Sequence, residues 1–286
     1  MERVRATPAE LEAPVTQDSI ELVRDGAVAA LRFANPPRHT LTAAMVLAMH
    51  EKLAELEQDR AGARVLILRS ATPSVFIRHY EVGELVSIAE QSPQRAAPAP
   101  SAVPSAQLHP LNELMLRLEA LDLITVAVID GLAMGGGFEL ALGCDFRLLR
   151  DGDHVVGLPE TGVGIIPGAG GTQRLARLLG TARALDLVLH GTLLSPRAAL
   201  AAGVVHRVYD AASFEGEVAS FVANLASRAP IALAQAKRAI RGGVALALRD
   251  GLLLEQQAFD RAIASADALG AMRAALKSER YEFKGE

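Results

Sequence analysis

One stretch of the sequence restricts the possible folds more than any other: a short apolar run that leads into three consecutive glycines. Ile124–Ile129 consists of apolar and β-branched residues and predicts a buried strand. Gly135–Gly137 follow closely, and consecutive glycines let a backbone approach a ligand or another element. Phe138–Leu142 then favours a helix. The glycine amides are therefore expected at a helix N-terminus, where free N–H groups and the helix dipole favour negative charge.

Two glutamates accompany the glycine-rich segments. Glu139 falls in the first turn of the predicted helix, and Glu160 follows Gly157-Leu158-Pro159. A second glycine-rich loop, Gly164–Thr172, opens another helix. Two carboxylates and a set of free amides are sufficient groups for acid–base chemistry. Each feature also has a purely structural explanation, because a first-turn glutamate can simply partner the dipole and a glycine run can simply allow close packing.

Composition narrows the class of protein. Half of the 286 residues are hydrophobic, which predicts one sizeable core with an appended helical region. The formal net charge of −4 gives no indication of a basic surface that binds nucleic acid, so a nucleic-acid partner is not expected. Cys144 is the only cysteine, so we expect no disulfide within the chain and a protein of the reducing cytoplasm. Its thiol is expected to pack as a small hydrophobic group. Residues 1–16 lack the apolar region of a signal peptide and are expected to be a poorly ordered N-terminus. No apolar run is long enough to cross a membrane.

The first part of the chain alternates strands and helices. Ile20–Arg24 and Val28–Phe33 flank an Asp25-Gly26 turn and predict a hairpin. Apolar residues at helical spacing predict a helix from Leu41 to about Gln58, followed by a buried strand over Val65–Leu68. A strand, helix, strand order predicts a mainly parallel sheet.

Later segments carry clear turn and cap signals. Ser92–Pro110 is rich in proline, alanine and serine and predicts a flexible loop before a helix over Leu111–Leu121. Ser195-Pro196 predicts a helix start that Gly203 ends, and a last strand is expected over Val204–Val208. Residues 211–286 are alanine-rich with helical periodicity and predict an all-helical region whose apolar faces need a partner subunit.

Three motifs, taken together and in order, resemble the enoyl-CoA hydratase/isomerase (crotonase) family. They are Gly-Gly-Gly-Phe-Glu-Leu-Ala from Gly135, Pro159-Glu160, and Pro-Gly-Ala-Gly-Gly-Thr-Gln-Arg-Leu over Pro167–Leu175. The resemblance implies an α/β fold: a crotonase-like ββα spiral core over residues 17–210 and a C-terminal helical oligomerisation region over 211–286. It also implies a homotrimer or a hexamer built as a dimer of trimers.

The resemblance also implies a reaction and a site. In the family, two backbone amides hold a thioester oxygen, and by position these are the N–H groups of Tyr80 and Gly136. Glu139 and Glu160 match two carboxylates that hold a water over the double bond of a trans-2-enoyl-CoA, which favours a hydratase. Coenzyme A belongs to the substrate, so no separate cofactor and no metal are expected. Substrate or coenzyme A contacts are expected from Arg38, Phe76, Arg78, His79, Gly135, Gly137, Pro159 and Gly168, with Lys277 or Lys284 near the phosphates.

Two features depart from the family pattern. The chain has His79-Tyr80-Glu81 where the family commonly has Gly-Ala-Asp, so the Tyr80 side chain must leave room for a ligand oxygen. The two glutamates are also separated by one residue more than the family spacing, which we attribute to a turn insertion over residues 150–153. The sequence therefore leaves open a Δ3,Δ2-enoyl-CoA isomerase, another lyase or hydrolase of this fold, and a non-catalytic acyl-CoA-binding homologue.

Histidines His79 and His154 adjoin the suspected site and are interpreted as surface or packing residues. We further expect the Ser92–Pro110 segment to border the acyl pocket.

Overall fold

A computed structural model of the protein describes residues 19–59, 62–91 and 107–286. The predicted start over residues 1–16 and most of the loop predicted over Ser92–Pro110 lie outside these ranges. The strands are β1 (Ser19–Asp25), β2 (Val28–Ala34), β3 (Val65–Ser70), β4 (Val75–Ile77), β5 (Ile124–Ile129), β6 (Leu132–Met134), β7 (Phe146–Arg150), β8 (Val156–Gly157), β9 (Leu193–Leu194) and β10 (Arg207–Tyr209).

The helices surround these strands and fill the C-terminal part. They are α1 (Ala43–Gln58), α2 (Val82–Gln91), α3 (Pro110–Ala120), α4 (Gly136–Leu142), α5 (Gly171–Leu179), α6 (Thr181–Leu189), α7 (Pro196–Ala202), α8 (Phe214–Ala226), α9 (Pro230–Gly243), α10 (Leu248–Ile263) and α11 (Ala266–Leu276). A short 3₁₀ helix spans Glu160–Val163. The α/β fold and the C-terminal helical region are as predicted.

The larger sheet has the strand order β1-β2-β3-β5-β7-β10. Strands β1 and β2 form the predicted antiparallel hairpin, and Gly26 adopts φ +55° at its turn, a conformation that glycine tolerates best. The other pairs in this sheet are parallel. The strand–helix–strand pattern therefore led to the correct sheet type.

The central strand β5 is buried along its whole length and serves two hydrophobic clusters. Ile124, Val126 and Val128 face a cluster that includes Phe214 of α8. Ala127 and Ile129 face the larger cluster, which includes α1, α3 and α4. The period of two along a strand sends neighbouring side chains to opposite faces, so covering both faces requires an almost entirely apolar run.

A smaller sheet carries strands in the order β4-β6-β8-β9. Strands β4, β6 and β8 run parallel, and β9 is antiparallel to β8. Parallel neighbours end at the same edge of a sheet, so the segments after β4, β6 and β8 emerge side by side. Strand β6 and the two-residue strands were not predicted, since three residues or fewer give no periodic signal.

Two predicted elements differ from the structure. The last strand begins at Arg207 rather than Val204, because Val204 and Val205 are buried in the core before the chain joins the sheet. The C-terminal region is not helical to its end, since the chain beyond Leu276 folds back along α11. There the Asp267 carboxylate accepts hydrogen bonds from the backbone N–H groups of Lys284 (2.8 Å) and Gly285 (2.6 Å).

Other predictions agree with the structure. Helix α7 begins at Pro196 and ends at Gly203, whose φ of +81° suits a glycine stop. Cys144 is buried as a small apolar residue. Within the described ranges, no helix combines the length and the apolar character needed to cross a bilayer.

Candidate active site

The carboxyl edge of the smaller sheet brings three of the sequence motifs together. Tyr80 follows β4, Gly135 and Gly136 follow β6, and Glu160 follows β8. The Gly135 N–H donates to the Gly157 carbonyl at 2.9 Å, which fixes the first glycine of the motif beside the last residue of β8. Ligands of parallel sheets are commonly bound beyond the carboxyl ends of the strands. This edge is therefore the candidate site.

The amides of Tyr80 and Gly136 point into this edge. The His79 carbonyl accepts from the Leu41 N–H at 2.9 Å, and in a trans peptide the next N–H, that of Tyr80, points the opposite way. Gly136 is the first residue of α4, where an N–H has no partner within the helix. A methyl group placed on Gly136 would lie 3.5 Å from the Tyr80 nitrogen. Neither amide donates to another described residue, which leaves both N–H groups open to a ligand.

The Tyr80 side chain contacts residues of two other elements. Burial, together with the nearby Glu84 carboxylate, raises the pKa of Tyr80. Its ring meets the His109 ring edge to face, with centroids 6.1 Å apart. The departure from the family pattern at this position therefore leaves the main-chain donor free.

Glu139 is buried and held in one orientation. Its Oε1 accepts hydrogen bonds from the N–H groups of Ala169 (2.8 Å) and Gly171 (2.7 Å). Burial is the largest effect and raises the pKa of this carboxyl overall, and the two amides and the charge of Arg174 partly offset that rise. Two donors directed at one carboxylate oxygen favour the ionised form.

Glu160 begins the 3₁₀ helix and has the opposite environment. Its Oε2 is buried without a hydrogen-bond partner among the described residues. Burial, with the nearby charge of Glu139, raises the pKa of Glu160 to about 7. A methyl group on Gly135 would lie 3.1 Å from Glu160 Oε1, so this carboxyl adjoins the glycine motif. The site thus pairs a hydrogen-bonded carboxylate with a carboxyl that can hold a proton near neutral pH.

Comparison with known proteins gives the arrangement a family. The family model for enoyl-CoA hydratase/isomerase matches residues 24–285. The chain belongs to the enoyl-CoA hydratase/isomerase family. A probable mitochondrial enoyl-CoA hydratase 2 of Arabidopsis thaliana is 30% identical over 87% of this chain and 78% of its own length. The enoyl-CoA isomerase/hydratase fer4 of Mycosarcoma maydis is 34% identical over 82% of this chain and 81% of its own. The crystal structure of an enoyl-CoA hydratase from Geobacillus kaustophilus HTA426 has a TM-score of 0.84 at 26% identity, covering 95% of this chain and 98% of its own.

Several residues expected to contact ligand in this family member lie near the site. Arg38 and Arg78 are exposed beside the segment that pairs with Tyr80, and Arg38 forms an ion pair with Glu81 at 3.5 Å. The His79 Nδ1 lies 2.7 Å from the Tyr80 carbonyl, and its Cβ would lie 3.6 Å from a methyl group on Gly135. Pro159 precedes Glu160 and is partly buried, while Gly168 is exposed.

Two residues expected to contact ligand, Phe76 and Gly137, also pack against other parts of the protein. The Phe76 side chain is 2% exposed and packs edge to face on Phe33, with ring centroids 5.0 Å apart. A methyl group on Gly137 would lie 2.4 Å from the Ile77 carbonyl oxygen, so this glycine permits close packing of α4 on β4. Alternation along β4 directs the Phe76 side chain into the core, and ligand contact at Phe76 and Gly137 stays a prediction.

The sequence reasoning missed the groups that hold Glu139. The glycine-rich loop before α5 supplies the two amides, and Arg174 holds that loop in turn. Arg174 Nη1 donates to the Ala169 carbonyl at 3.1 Å, and Arg174 Nε donates to Glu119 at 2.6 Å. The glycine-rich start of α5 could have predicted this contact, because free N–H groups at a helix N-terminus favour a carboxylate such as Glu139. Arg174 belongs to the Pro167–Leu175 motif, but its role was not inferred, since an arginine on a helix is usually a surface residue.

Replacing Arg174 with lysine is expected to lower kcat about tenfold while changing KM little. Lysine keeps the charge but cannot bond both Ala169 and Glu119 in the same planar geometry, so the loop around Glu139 loses a charged hydrogen bond worth roughly 1.5–3 kcal/mol. Steady-state kinetics measures the effect. Arg177→Lys is the matched control, because Arg177 lies on the same helix and, within the described part of the chain, bonds only to Gln173. Equal kinetics for the two variants would contradict this role.

Proposed function

We propose that this family member is an enoyl-CoA hydratase that adds water across the double bond of a trans-2-enoyl-CoA. The observation that carries the proposal is the contrast between the two glutamates. Glu139 accepts two N–H bonds at one oxygen, whereas Glu160 has a buried oxygen without a partner and a pKa raised to about 7. An ionised and a protonated carboxyl beside one another are what hydration needs.

The proposed reaction assigns a role to each group. The thioester oxygen binds between the N–H groups of Tyr80 and Gly136, which stabilise the negative charge that develops there. The Glu139 carboxylate accepts a proton from a water as that water attacks the β-carbon. The Glu160 carboxyl donates its proton to the α-carbon. Together these steps add one water molecule and leave the two glutamates to exchange protons with solvent.

Coenzyme A recognition is proposed at the exposed arginines beside this site. Arg38 and Arg78 carry positive charge where the thioester would enter, and phosphate groups are favoured partners of arginine. Lys277 and Lys284 are exposed in the C-terminal part of the chain, and a role for either at the phosphates of a neighbouring subunit's substrate stays part of this proposal. No separate cofactor is proposed.

An isomerase is the second candidate, and a named relative favours it: fer4 of Mycosarcoma maydis carries both activities in its name. Isomerisation moves a proton between carbons and needs only one carboxyl group, whereas hydration uses two. Incubating the purified protein with a trans-2-enoyl-CoA and with a cis-3-enoyl-CoA distinguishes them. Hydration of the first substrate supports the proposal, and conversion of the second without water addition supports the isomerase.

We also propose that the chain assembles as a trimer or a dimer of trimers. The last helices expose large apolar side chains that a single chain leaves in solvent: Ile240 (72%), Val244 (69%), Leu248 (79%), Phe259 (60%) and Leu276 (89%). Exposed apolar surface of this kind marks an interface between proteins. Light scattering at micromolar concentration is expected to give the mass of three or six chains. A strictly monomeric mass would contradict the assembly.

The cytoplasm is the proposed compartment. Its support is the single cysteine, which is buried as a free thiol at Cys144. Free thiols persist in reducing compartments. The Arabidopsis relative is named as mitochondrial, so fractionation of cells that express the native protein tests this point directly.

A further inference from the structure

The Tyr80 ring lies between two elements beside the proposed thioester site. At one end its hydroxyl is near the Glu84 carboxylate, which accepts the Ala43 N–H at 3.0 Å, at the start of α1. Along its edge the ring meets His109. A side chain that contacts two separate elements is held in place, so the Tyr80 ring can form a rigid boundary of the site.

The partner of this ring is also fixed. His109 caps α3, because its Nδ1 accepts the Leu111 N–H at 3.2 Å. Asn112, one turn on, donates to the Gly168 carbonyl at 3.0 Å. Helix α3 is thus attached to the same loop whose amides hold Glu139. The Tyr80–His109 ring pair therefore spans from the proposed oxygen-binding amides to the structure around Glu139.

An acyl chain in this site would meet the ring pair after only a few carbons. Its thioester oxygen would lie between the Tyr80 and Gly136 amides, and a methyl group on Gly136 would already be 3.1 Å from Tyr80 Cβ. Its reacting carbons would lie beside Glu139 and Glu160. The carbons beyond them extend from this same point, where Tyr80 replaces the small residue common in the family.

We propose that Tyr80, together with His109, is a specificity-determining residue that limits this enzyme to short-chain acyl-CoA thioesters. The inference rests on the proposed function for the place of the thioester. It adds the substrate class, which neither the motifs nor the relatives specify. Tyr80 then has two separate roles, since its main-chain N–H binds oxygen and its ring sets acyl length.

The test measures binding of saturated thioesters, so that its result does not depend on turnover. Isothermal titration of butyryl-CoA and decanoyl-CoA is expected to show that the wild-type protein favours butyryl-CoA. In Tyr80→Ala the decanoyl-CoA affinity is expected to rise at least tenfold while that for butyryl-CoA changes little. Burying each added methylene strengthens binding about fourfold when space is available. Tyr80→Phe is the matched control, because it keeps the ring and loses only the hydroxyl, and it should retain the wild-type preference.

A second variant protects the test against misfolding of Tyr80→Ala. His109→Asn removes the partner ring but keeps a residue that caps helices well, and it is expected to raise decanoyl-CoA affinity in the same direction. Wild-type protein that binds both thioesters equally, or two variants that leave the preference unchanged, would overturn the proposal. Absence of binding to either thioester by the wild type would overturn it together with the proposed function. Length-dependent binding without hydration of crotonyl-CoA would support the ring pair and contradict the hydratase alone.

Discussion

Replacing either Glu139 or Glu160 with glutamine is expected to lower the rate of enoyl-CoA hydration by about 10²–10⁴-fold, the contribution of one positioned acid or base. Glutamine keeps the size of the side chain and an oxygen acceptor, but it cannot exchange a proton at working pH. At Glu139 this oxygen can still accept from Ala169 and Gly171, so the loop should keep its position. Steady-state kinetics on a trans-2-enoyl-CoA measures the loss.

Binding provides the control within the same experiment. Affinity for a saturated acyl-CoA should survive both substitutions, since the proposed oxygen donors are main-chain N–H groups. Glu217→Gln, an exposed glutamate on α8 far along the chain from the site motifs, should leave the rate unchanged. If Glu139→Gln is nearly silent while Glu160→Gln abolishes turnover, single-carboxylate isomerase chemistry replaces the hydratase. If neither variant loses activity, the assignment of both residues is wrong.

The double variant tests whether the two carboxyls act as a unit. Both are proposed to act in the same addition of water, so removing the second carboxyl from a single variant should cost much less than removing it from the wild type. The combined loss is therefore expected to fall well short of the product of the single losses. A fully multiplicative loss would mean that the two groups act in independent steps.

Gly136→Ala keeps the N–H but crowds the two donors, and it is expected to lower kcat by up to about 10²–10³-fold, the cost of removing one oxyanion donor altogether. The new methyl would lie 3.1 Å from Tyr80 Cβ and 3.5 Å from the Tyr80 nitrogen. It would thus press on the segment that carries the second amide and intrude between the two donors. Since Gly136 has an ordinary helical backbone, the substitution adds no conformational strain, and alanine even favours the helix.

The matched control is Gly216→Ala on α8. Nothing lies within 4 Å of a methyl group at that position, so the variant should be fully active and at least as stable as the wild type. Thermal unfolding of both variants separates a lost donor from a lost fold. A Gly136→Ala enzyme with normal kcat would show that the two amides do not share a ligand oxygen.

Whether a strand or helix could be predicted from the sequence depends on how many residues carry its periodic pattern. The β1–β2 hairpin, β5 and the C-terminal helices follow from periodic patterns and turn residues, and the structure contains them. Strand β6 spans Leu132–Met134, which is too short for any period to appear. That strand nevertheless decides the site, because it carries Gly135 and Gly136 between β4 and β8.

The candidate site could likewise be predicted only in part. Glu139 and Glu160 could be selected because each adjoins glycine-rich sequence and matches a family motif. Their different hydrogen bonding could not be predicted, since the donors at Ala169 and Gly171 reach Glu139 only through tertiary contact. For Tyr80, the sequence raised the question of a blocked amide. The answer required tertiary contacts, namely the packing of the ring on His109 and the absence of a bond from the Tyr80 N–H among the described residues.

The most direct test of the account is the product formed from crotonyl-CoA by the purified wild-type protein in isotopically labelled water. The account predicts a 3-hydroxybutyryl-CoA that carries one labelled oxygen at the β-carbon, and mass spectrometry detects it. Loss of this product in both Glu139→Gln and Glu160→Gln, with butyryl-CoA binding retained, would link it to the two carboxyls. Unchanged crotonyl-CoA, or a product without the labelled oxygen, would contradict the hydratase.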